Sequence, residues 1–505
     1  MLLVASMMYW LRTYLNANHL RPRWLTTSLL WLSLSACGAS PLSRPTVEGP
    51  LSLGEELRIG VIVSESNWRN LHRSTQLMDS SYLLRDRVNA CGGINQTPMS
   101  IVIMEVDDAE HTEMKAMQTL IEEHRVHGVI AQFASQNPSQ ALALASKTDT
   151  PVLITSLKSW HTLIPVDRAA RSWNYTTPSN QQRMKAFAQL IINRGYSQIA
   201  LITANADETT DWYDLFVQQY DSLGGHIVNL EQPIAWKASS RSADLDDDQE
   251  LTTDDDINQQ IIQLKTILAQ DFIHQESQTQ PDQPQENSGQ EGSAQETSDA
   301  ANNVAIATIL DQKTGADFLE TILALGWQSE DVPMVWYDQG GLESFLTTLD
   351  AKDANDSQSL DAMAGIFGIT PAFNGEGFQE FFDTWTKQLD NTPSGYAAHT
   401  WDAATLFALA AQASGQNSRT GIMSALSTVA NSPGIAVTDV CQGLEHLRQQ
   451  EIINFQGASS SVDINRFGEV PGMFNIWQLN KDGTAVTVDT LSIDTESIDS
   501  EPVSR

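Results

Sequence analysis

The stretch Asn89–Val106 reads NACGGINQTPMSIVIMEV, and its two halves belong to different periodicities. Gly92 and Gly93 supply the positive φ that a helix C-terminus needs before the chain turns back. Ser100–Val106 (SIVIMEV) is then a compact apolar run of strand length. Outward in both directions the same alternation holds. Leu71–Val88 is helix-like and follows the apolar run Leu57–Val63 (LRIGVIV). Downstream come a helix over Thr112–Arg125, a strand at Gly128–Phe133, a helix from Pro138 to Lys147 and a strand at Pro151–Ile154. A helix over Gln181–Arg194, a strand at Gln198–Thr203, a helix near Asp211–Leu223 and a strand at His226–Leu230 continue the series. It resumes later with the strand Val304–Ile309, the helix Thr314–Leu325 and the strand Val332–Trp336. Short apolar strands separated by helices predict βαβ units and parallel sheets buried on both faces.

One interruption breaks the pattern. Asp244–Asp256 carries eight acids and no base. Residues 274–303 contain no Val, Ile, Leu, Phe, Trp or Tyr. Such a segment buries too little apolar surface to offset its ordering entropy, so it is expected to be a disordered insertion. Between the two, Ile257–Phe272 has the pattern of an amphipathic helix. The tail 491–505 is acidic, polar and expected to fray.

The chain has 505 residues, 41% of them hydrophobic, and a formal charge of −34. That acidity opposes binding to nucleic acid or anionic lipid surfaces. Three cysteines exclude a disulfide scaffold and a four-cysteine zinc site. Beyond the first forty residues no apolar run reaches the ~18 needed to span a bilayer.

Those first residues have the pattern of an address. Arg12, Arg21 and Arg23 precede an apolar stretch from Trp24 to Leu34, as in a secretory signal. Leu34-Ser35-Ala36-Cys37-Gly38 looks like a bacterial lipobox, in which the Cys37 thiol takes the lipid and the chain is cut before it. Residues 1–36 are then a lipoprotein signal and residues 37–56 a flexible tether, spanning on the order of 25 Å. Outside the cytoplasm thiols oxidise, leaving Cys91 and Cys441 as a pair whose meeting in space the sequence leaves open.

The chain lacks the phosphate-loop, dinucleotide, nucleophile-elbow and zincin signatures, and no nucleophile, base and orienter assemble, so an enzyme is not expected. His124-x-x-His127 reads as a polar turn at a helix C-terminus, where cationic imidazoles favour the dipole, rather than as a metal pair. Neither a metal nor a cofactor is expected.

The order of several short motifs carries a resemblance. Asn89-Ala90-Cys91-Gly92-Gly93-Ile94-Asn95, Val106-Asp107-Asp108-Ala109, Gly128-Val129-Ile130, Pro151-Val152-Leu153-Ile154 and Pro178-Ser179-Asn180 follow one another as in the leucine/isoleucine/valine-binding group of type I periplasmic binding proteins. Tyr396 through Trp401-Asp402-Ala403, then Phe455-Gln456-Gly457 and Val462–Gly468, complete the order over nearly all of 57–490. The resemblance implies an α/β, two-lobed fold, each lobe a mostly parallel sheet flanked by helices, with a ligand cleft between lobes. Lobe one would take 57–176 and 370–458, and lobe two 177–369 and 459–490, joined by three crossing segments.

It also implies a site for a small polar ligand such as an amino acid. Ser135, with Gln136 beside it, matches the family's carboxylate-binding serine. Ser156 and Lys158 fall where a small residue and a Ser/Thr contact the ligand; Lys158 is a departure that would favour extra negative charge on it. Asp338 matches the acid that pairs with the ligand ammonium, and Trp212 or Tyr213 falls in the region of the cleft aromatic. The first loop, with Trp68, and Asp311 depart from the family pattern. Two functions are implied: a lipid-anchored receptor feeding an ABC permease, or a ligand-sensing envelope lipoprotein that regulates a partner. Gly38 after the lipidated Cys favours the outer membrane of a two-membrane cell, and so the second.

Overall fold

In the computed structural model of the chain, residues 56–64, 71–106, 112–133, 138–157, 172–204, 206–231, 234–236, 259–260, 262–263, 266, 304–310, 312–338 and 357–494 are described. Cys37, the tether and residues 274–303 lie outside them.

The chain begins with β1 (Leu57–Ser64), α1 (Leu71–Ala90), β2 (Met99–Val106), α2 (Thr112–Glu122), β3 (Gly128–Phe133), α3 (Ser139–Lys147), β4 (Val152–Leu157) and β5 (Trp173–Tyr175). It continues through α4 (Asn180–Asn193), β6 (Gln198–Ala204), α5 (Ala206–Ser222), β7 (His226–Ile227) and β8 (Ile234–Trp236). Next come β9 (Val304–Leu310), α6 (Gln312–Ala324), β10 (Met334–Asp338), α7 (Ser357–Met363) and β11 (Phe367–Pro371). The last part holds α8 (Phe378–Thr386), α9 (Gly395–Ser414), α10 (Arg419–Ala430), β12 (Ile435–Val437), α11 (Val440–Arg448), β13 (Ile453–Phe455), β14 (Gly472–Leu479) and β15 (Ala485–Ile493).

Two main sheets result. The first has the order β2-β1-β3-β4-β5 and is parallel throughout. The second has the order β15-β14-β11-β10-β9-β6-β7, with β8 also paired to β6. From β7 to β11 it is parallel, while β11–β14 and β14–β15 are antiparallel. Each sheet is covered on both faces. One face of the first packs on α1, α8, α9, α10 and α11, and the other on α2 and α3. One face of the second packs on α4 and α5, the other on α6 and α7. Burial on both faces is why the strands read as near-continuous apolar runs.

The turn at Gly92-Gly93 does what the sequence reading requires of it, with φ of 98° and 68°. A Cβ at Gly93 would stand 2.2 Å from the Thr97 carbonyl oxygen, so glycine is needed there twice over. Cys91, at this turn, is disulfide-bonded to Cys441 at the start of α11, with Cα atoms 5.7 Å apart. The pair left open by the sequence therefore meets. Beside it Arg87 pairs with Asp439 at 2.5 Å and with Glu380.

Helix α9 is the centre of the first half. Every residue from Ala397 to Ala411 is buried, as expected of a helix apolar on all sides. Ser394 caps its start and Gly415, at φ 68°, ends it.

Three expectations are corrected. His127 is fully buried and its backbone pairs with Arg58, while His124 is exposed, so the two rings share no face. Burial and the nearby Arg58 and Arg419 lower the His127 pKa to about 4, so it is neutral and not the expected cation. The strand expected at His226–Leu230 stops at Ile227, leaving Leu230 exposed. The strand β15 runs to Ile493, into the stretch expected to fray. Ile493 is paired with Gly472 and packs into the core beside α4, which outweighs the polar composition around it.

Candidate functional site

Each sheet reverses its strand order next to its first strand. In the first, β1 sends the chain to β2 on one side and then to β3 on the other; in the second, β6 does the same with β7 and β9. Ligands of open parallel sheets bind beyond the carboxyl ends of the strands at such switch points.

Ser135 follows β3 and Lys158 follows β4; both lie outside the described residues, as do Trp68, Gln136 and Asp311. Ser156 is the penultimate residue of β4, opposite Gln132 of β3. Phe133 and Leu157, the last described residues before Ser135 and Lys158, end adjacent parallel strands at the same sheet end. The β3–β4 register shifts between Ala131 and Gln132, which re-aims the strand ends. Asp338 is the last residue of β10, opposite Leu310 at the end of β9, so it also stands at a carboxyl end.

Trp212 has a different setting. It lies in the second turn of α5 with 1% of its surface exposed. Its ring is 5.5 Å from that of Tyr337, and Phe187 and Phe216 belong to the same cluster. The structure thus gives Trp212 a packing position beneath the end of β10. Tyr213, next to it, is half-buried at the edge of the same cluster, and burial together with Asp214 raises its pKa.

The best-defined polar structure is the crossing region, whose Pro178-Ser179-Asn180, Asp402 and Gln456-Gly457 enter the sequence reading only as markers of the family resemblance. The chain passes between the sheets at residues 176–179, 372–377 and 456–471. Thr176 and His399 clasp each other: the Thr176 hydroxyl donates to the His399 carbonyl at 3.1 Å, and the His399 Nδ1 meets the Thr176 carbonyl. A carbonyl only accepts, so Nδ1 carries the proton. His399 Nε2 has no hydrogen-bond partner among the described residues. Complete burial lowers its pKa to about 4, so the ring is neutral. Arg183, 2% exposed, donates to the Pro178 carbonyl at 3.0 Å and to the Thr177 hydroxyl at 2.8 Å. Ser179 caps α4 in a capping box with Gln182, whose amide also donates to the Val470 carbonyl at 2.9 Å.

One turn beyond His399, Asp402 holds another crossing. Its Oδ1 accepts from the Ala458 amide at 2.7 Å, and its Oδ2 accepts from the Ser459 amide at 2.8 Å and the Ser459 hydroxyl at 2.5 Å. Burial pushes its pKa up to about 7, against the three bonds, which favour the carboxylate. A signal was available: His399 and Asp402 are the only ionisable side chains in the twenty residues of α9 apart from the phenol of Tyr396. None of these groups forms a nucleophile–base pair; the arrangement grips backbone.

The sequence matches the family model described as "Receptor family ligand binding region" over residues 82–482. No curated protein sequence matches the chain. Among solved structures, the leucine binding protein LivK of Thermotoga maritima is 12% identical with a TM-score of 0.56, covering 87% of this chain and 99% of its own. The branched-chain amino acid transporter substrate binding protein LivJ of Streptococcus pneumoniae, in complex with isoleucine, is 16% identical with a TM-score of 0.55, covering 87% and 99%. A solute binding protein of an ABC transporter from R. palustris, in complex with benzoate, is 12% identical with a TM-score of 0.52, covering 88% and 98%. The family is one of binding proteins rather than enzymes, and the α/β architecture with parallel-sheet cores is that of its two-lobed members. With four-fifths of the chain inside the family model, the protein belongs to the receptor ligand-binding family, and its fold is that of type I periplasmic binding proteins.

Proposed function

We propose that this protein is an extracytoplasmic solute receptor, lipid-anchored through Cys37, that closes on an amino acid or similar small polar molecule and presents it to an ABC permease. The observation that carries this reading is the position of Ser156 and Asp338 at carboxyl ends of strands in two sheets of the same winding. Phe133 and Leu157, which precede Ser135 and Lys158 in the chain, end adjacent strands beside Ser156. Ser135 and Ser156 would receive the carboxylate, Asp338 the ammonium, and Lys158 any further negative charge. Trp212 would support the Asp338 strand from below. The amino-acid and benzoate ligands of the similar structures support a small carboxylate as the ligand class. The Cys91–Cys441 disulfide supports an oxidising compartment.

A thermal-shift screen against amino acids, amides and aromatic carboxylates tests the reading. A ligand at a hundredfold excess over Kd stabilises the fold by ~2.7 kcal/mol; no shift with any small carboxylate would sink it. With a ligand in hand, Asp338→Ala should weaken binding by roughly 2–5 kcal/mol and Ser135→Ala by about 0.5–1.5 kcal/mol. Lys158→Ala should weaken binding only of ligands with a second acidic group. The second reading, a sensor that regulates an envelope partner, is favoured by Gly38 after the lipidated Cys. Adjacent permease and ATPase genes would count against it.

A further inference from the structure

Arg183 is the one lysine or arginine that is buried among the described residues, with 2% of its surface exposed. It is the fourth residue of α4, and its side chain turns back to the first crossing. One edge of the guanidinium is occupied there, Nε donating to the Pro178 carbonyl at 3.0 Å and Nη2 to the Thr177 hydroxyl at 2.8 Å. The opposite edge, both protons of Nη1 and the second proton of Nη2, meets no acceptor among the described residues. Nη1 is not sealed from the surface, so the little exposure the side chain keeps lies on that free edge.

Its charge is as unmatched as those protons. The chain has 63 acids for 29 bases, and elsewhere the bases find them: Arg85 pairs with Asp86, Arg87 with Asp439 and Lys481 with Asp361. Arg183 has no acid partner among the described residues. Its two acceptors are neutral oxygens, and in the first turn of α4 it adds to the positive end of the helix dipole instead of offsetting it. A buried guanidinium stays charged, and without a counter-charge its burial is costly. The Thr177 hydroxyl, which accepts from Nη2, keeps its own proton to donate.

This cluster of donors adjoins the candidate site. Tyr175 pairs with Ile154 of β4, and the Thr176 amide donates to the Ile154 carbonyl at 3.0 Å. Ser156 lies two residues beyond Ile154 and Thr177 two beyond Tyr175, so both stand at the same end of the first sheet. The platform under Thr177 is fixed, because the three crossings are tied to one turn of α9. His399 holds Thr176, Asp402 holds Ala458 and Ser459, and the Gly375 and Gly377 amides bond the second crossing to the Ala458 and Gly457 carbonyls. The free edge of Arg183 is therefore set in place before a ligand arrives.

We propose that Arg183 is a ligand-binding residue whose free edge takes the same carboxylate that Ser156 receives, so that a carboxylate, and not an amide or an uncharged polar group, is obligatory in the ligand. The inference rests on the solute-receptor reading and deepens it by fixing the ligand's chemical class. The planar fork of a guanidinium matches the two carboxylate oxygens with two parallel bonds. The pairing also supplies the counter-charge that Arg183 lacks among the described residues. Lys158 remains the partner of a second acidic group, where the ligand has one.

Calorimetric titration of the full chain with acid–amide pairs tests it: leucine with leucinamide, glutamate with its α-amide, and benzoate with benzamide. The wild type should bind at least one acid, and bind it at least about tenfold more tightly than the matching amide. Arg183→Gln should weaken the acid by about tenfold or more and leave the amide where it was, so the ratio collapses. A variant that only loosened the crossing would weaken both members of the pair alike. Arg183→Lys keeps the charge without the fork; its ratio should fall between the other two, and it stays informative if Arg183→Gln does not fold. An acid held equally well by the wild type and either variant, or an amide bound as tightly as its acid, would overturn the proposal and leave a cleft for polar ligands standing. If neither acids nor amides bind, the proposal falls together with the reading it rests on.

Discussion

The two halves of this protein start from one plan and finish it differently. Each winds outward from its first strand in the same order, β2-β1-β3-β4 in one and β7-β6-β9-β10 in the other. The first is then filled by α9, a helix that arrives some 240 positions after β4 and is buried on every side. The second is extended instead by an antiparallel ribbon, β14 and β15, at the edge beyond β11. The first half is consequently held by contacts between distant parts of the chain, including the Cys91–Cys441 disulfide, which spans 350 positions. The second is built largely from one continuous stretch. Closing long loops costs entropy, so the first half should gain more from cross-links and from its central helix.

Core truncation gives the largest test. Phe407 on α9 lies against Gly128, where a Cβ would come within 2.8 Å of its ring, and Trp212 fills the core of the second half. Phe407→Ala and Trp212→Ala should each cost about 3–5 kcal/mol. If the halves unfold separately, calorimetry should show each substitution lowering a different transition; a common shift would mean one cooperative unit. Trp212→Ala should act through stability, and a variant of wild-type Tm that has lost ligand binding would place Trp212 in the cleft after all.

Removing the disulfide comes next. Cys91→Ser with Cys441→Ser should cost about 2–5 kcal/mol by relaxing the unfolded chain. In denaturant titration the loss should fall on the transition that Phe407→Ala lowers. An unchanged midpoint would mean that Arg87, with Glu380 and Asp439, holds α1 to α11 without it.

pH offers a third handle, because His127, His399 and Asp402 all belong to the first half. The two histidines have folded pKa values near 4, below the unfolded 6.5, so the unfolded chain binds more protons in between. Stability should fall as pH drops from 6.5 towards 4, by about 3 kcal/mol per histidine at most. Asp402 has the opposite sign: its folded pKa is about 7 against 3.8, so the folded chain binds the extra proton and stability should fall as pH rises through this window. Thermal unfolding from pH 4 to pH 8 should give a maximum for the first half that Asp402→Asn moves upward in pH.

The smallest effect is expected from deleting residues 275–302, which carry no large apolar side chain. The Tm should change by no more than ~1 kcal/mol equivalent, and a loss of several kcal/mol would mean the segment packs.

The crossing region shows where sequence reading stops. Trp212, Phe216 and Tyr220 are four apart, a helical face legible in the sequence once α5 is allowed to begin at Ala206. The expected helix begins near Asp211, with Trp212 at its very start, so from sequence Trp212 reads as a cleft aromatic rather than as part of that buried face. Asp402 was visible as a lone acid in an apolar run. Its partners, 56 and 57 positions away, have no local signature, because any serine and any amide could have met it.

The sequence alone determined the βαβ alternation, the glycine turn at residues 92–93 and the family, because each rests on local periodicity or on φ values that few residues adopt. The tertiary structure alone decided that Cys91 meets Cys441, that His127 and His399 stay neutral, that β15 extends to Ile493 and that α9 fastens the three crossings. Each of these depends on the burial and partners that come from distant chain segments. A side chain's charge state and its hydrogen bonds follow from what surrounds it in space, and sequence neighbours supply little of that.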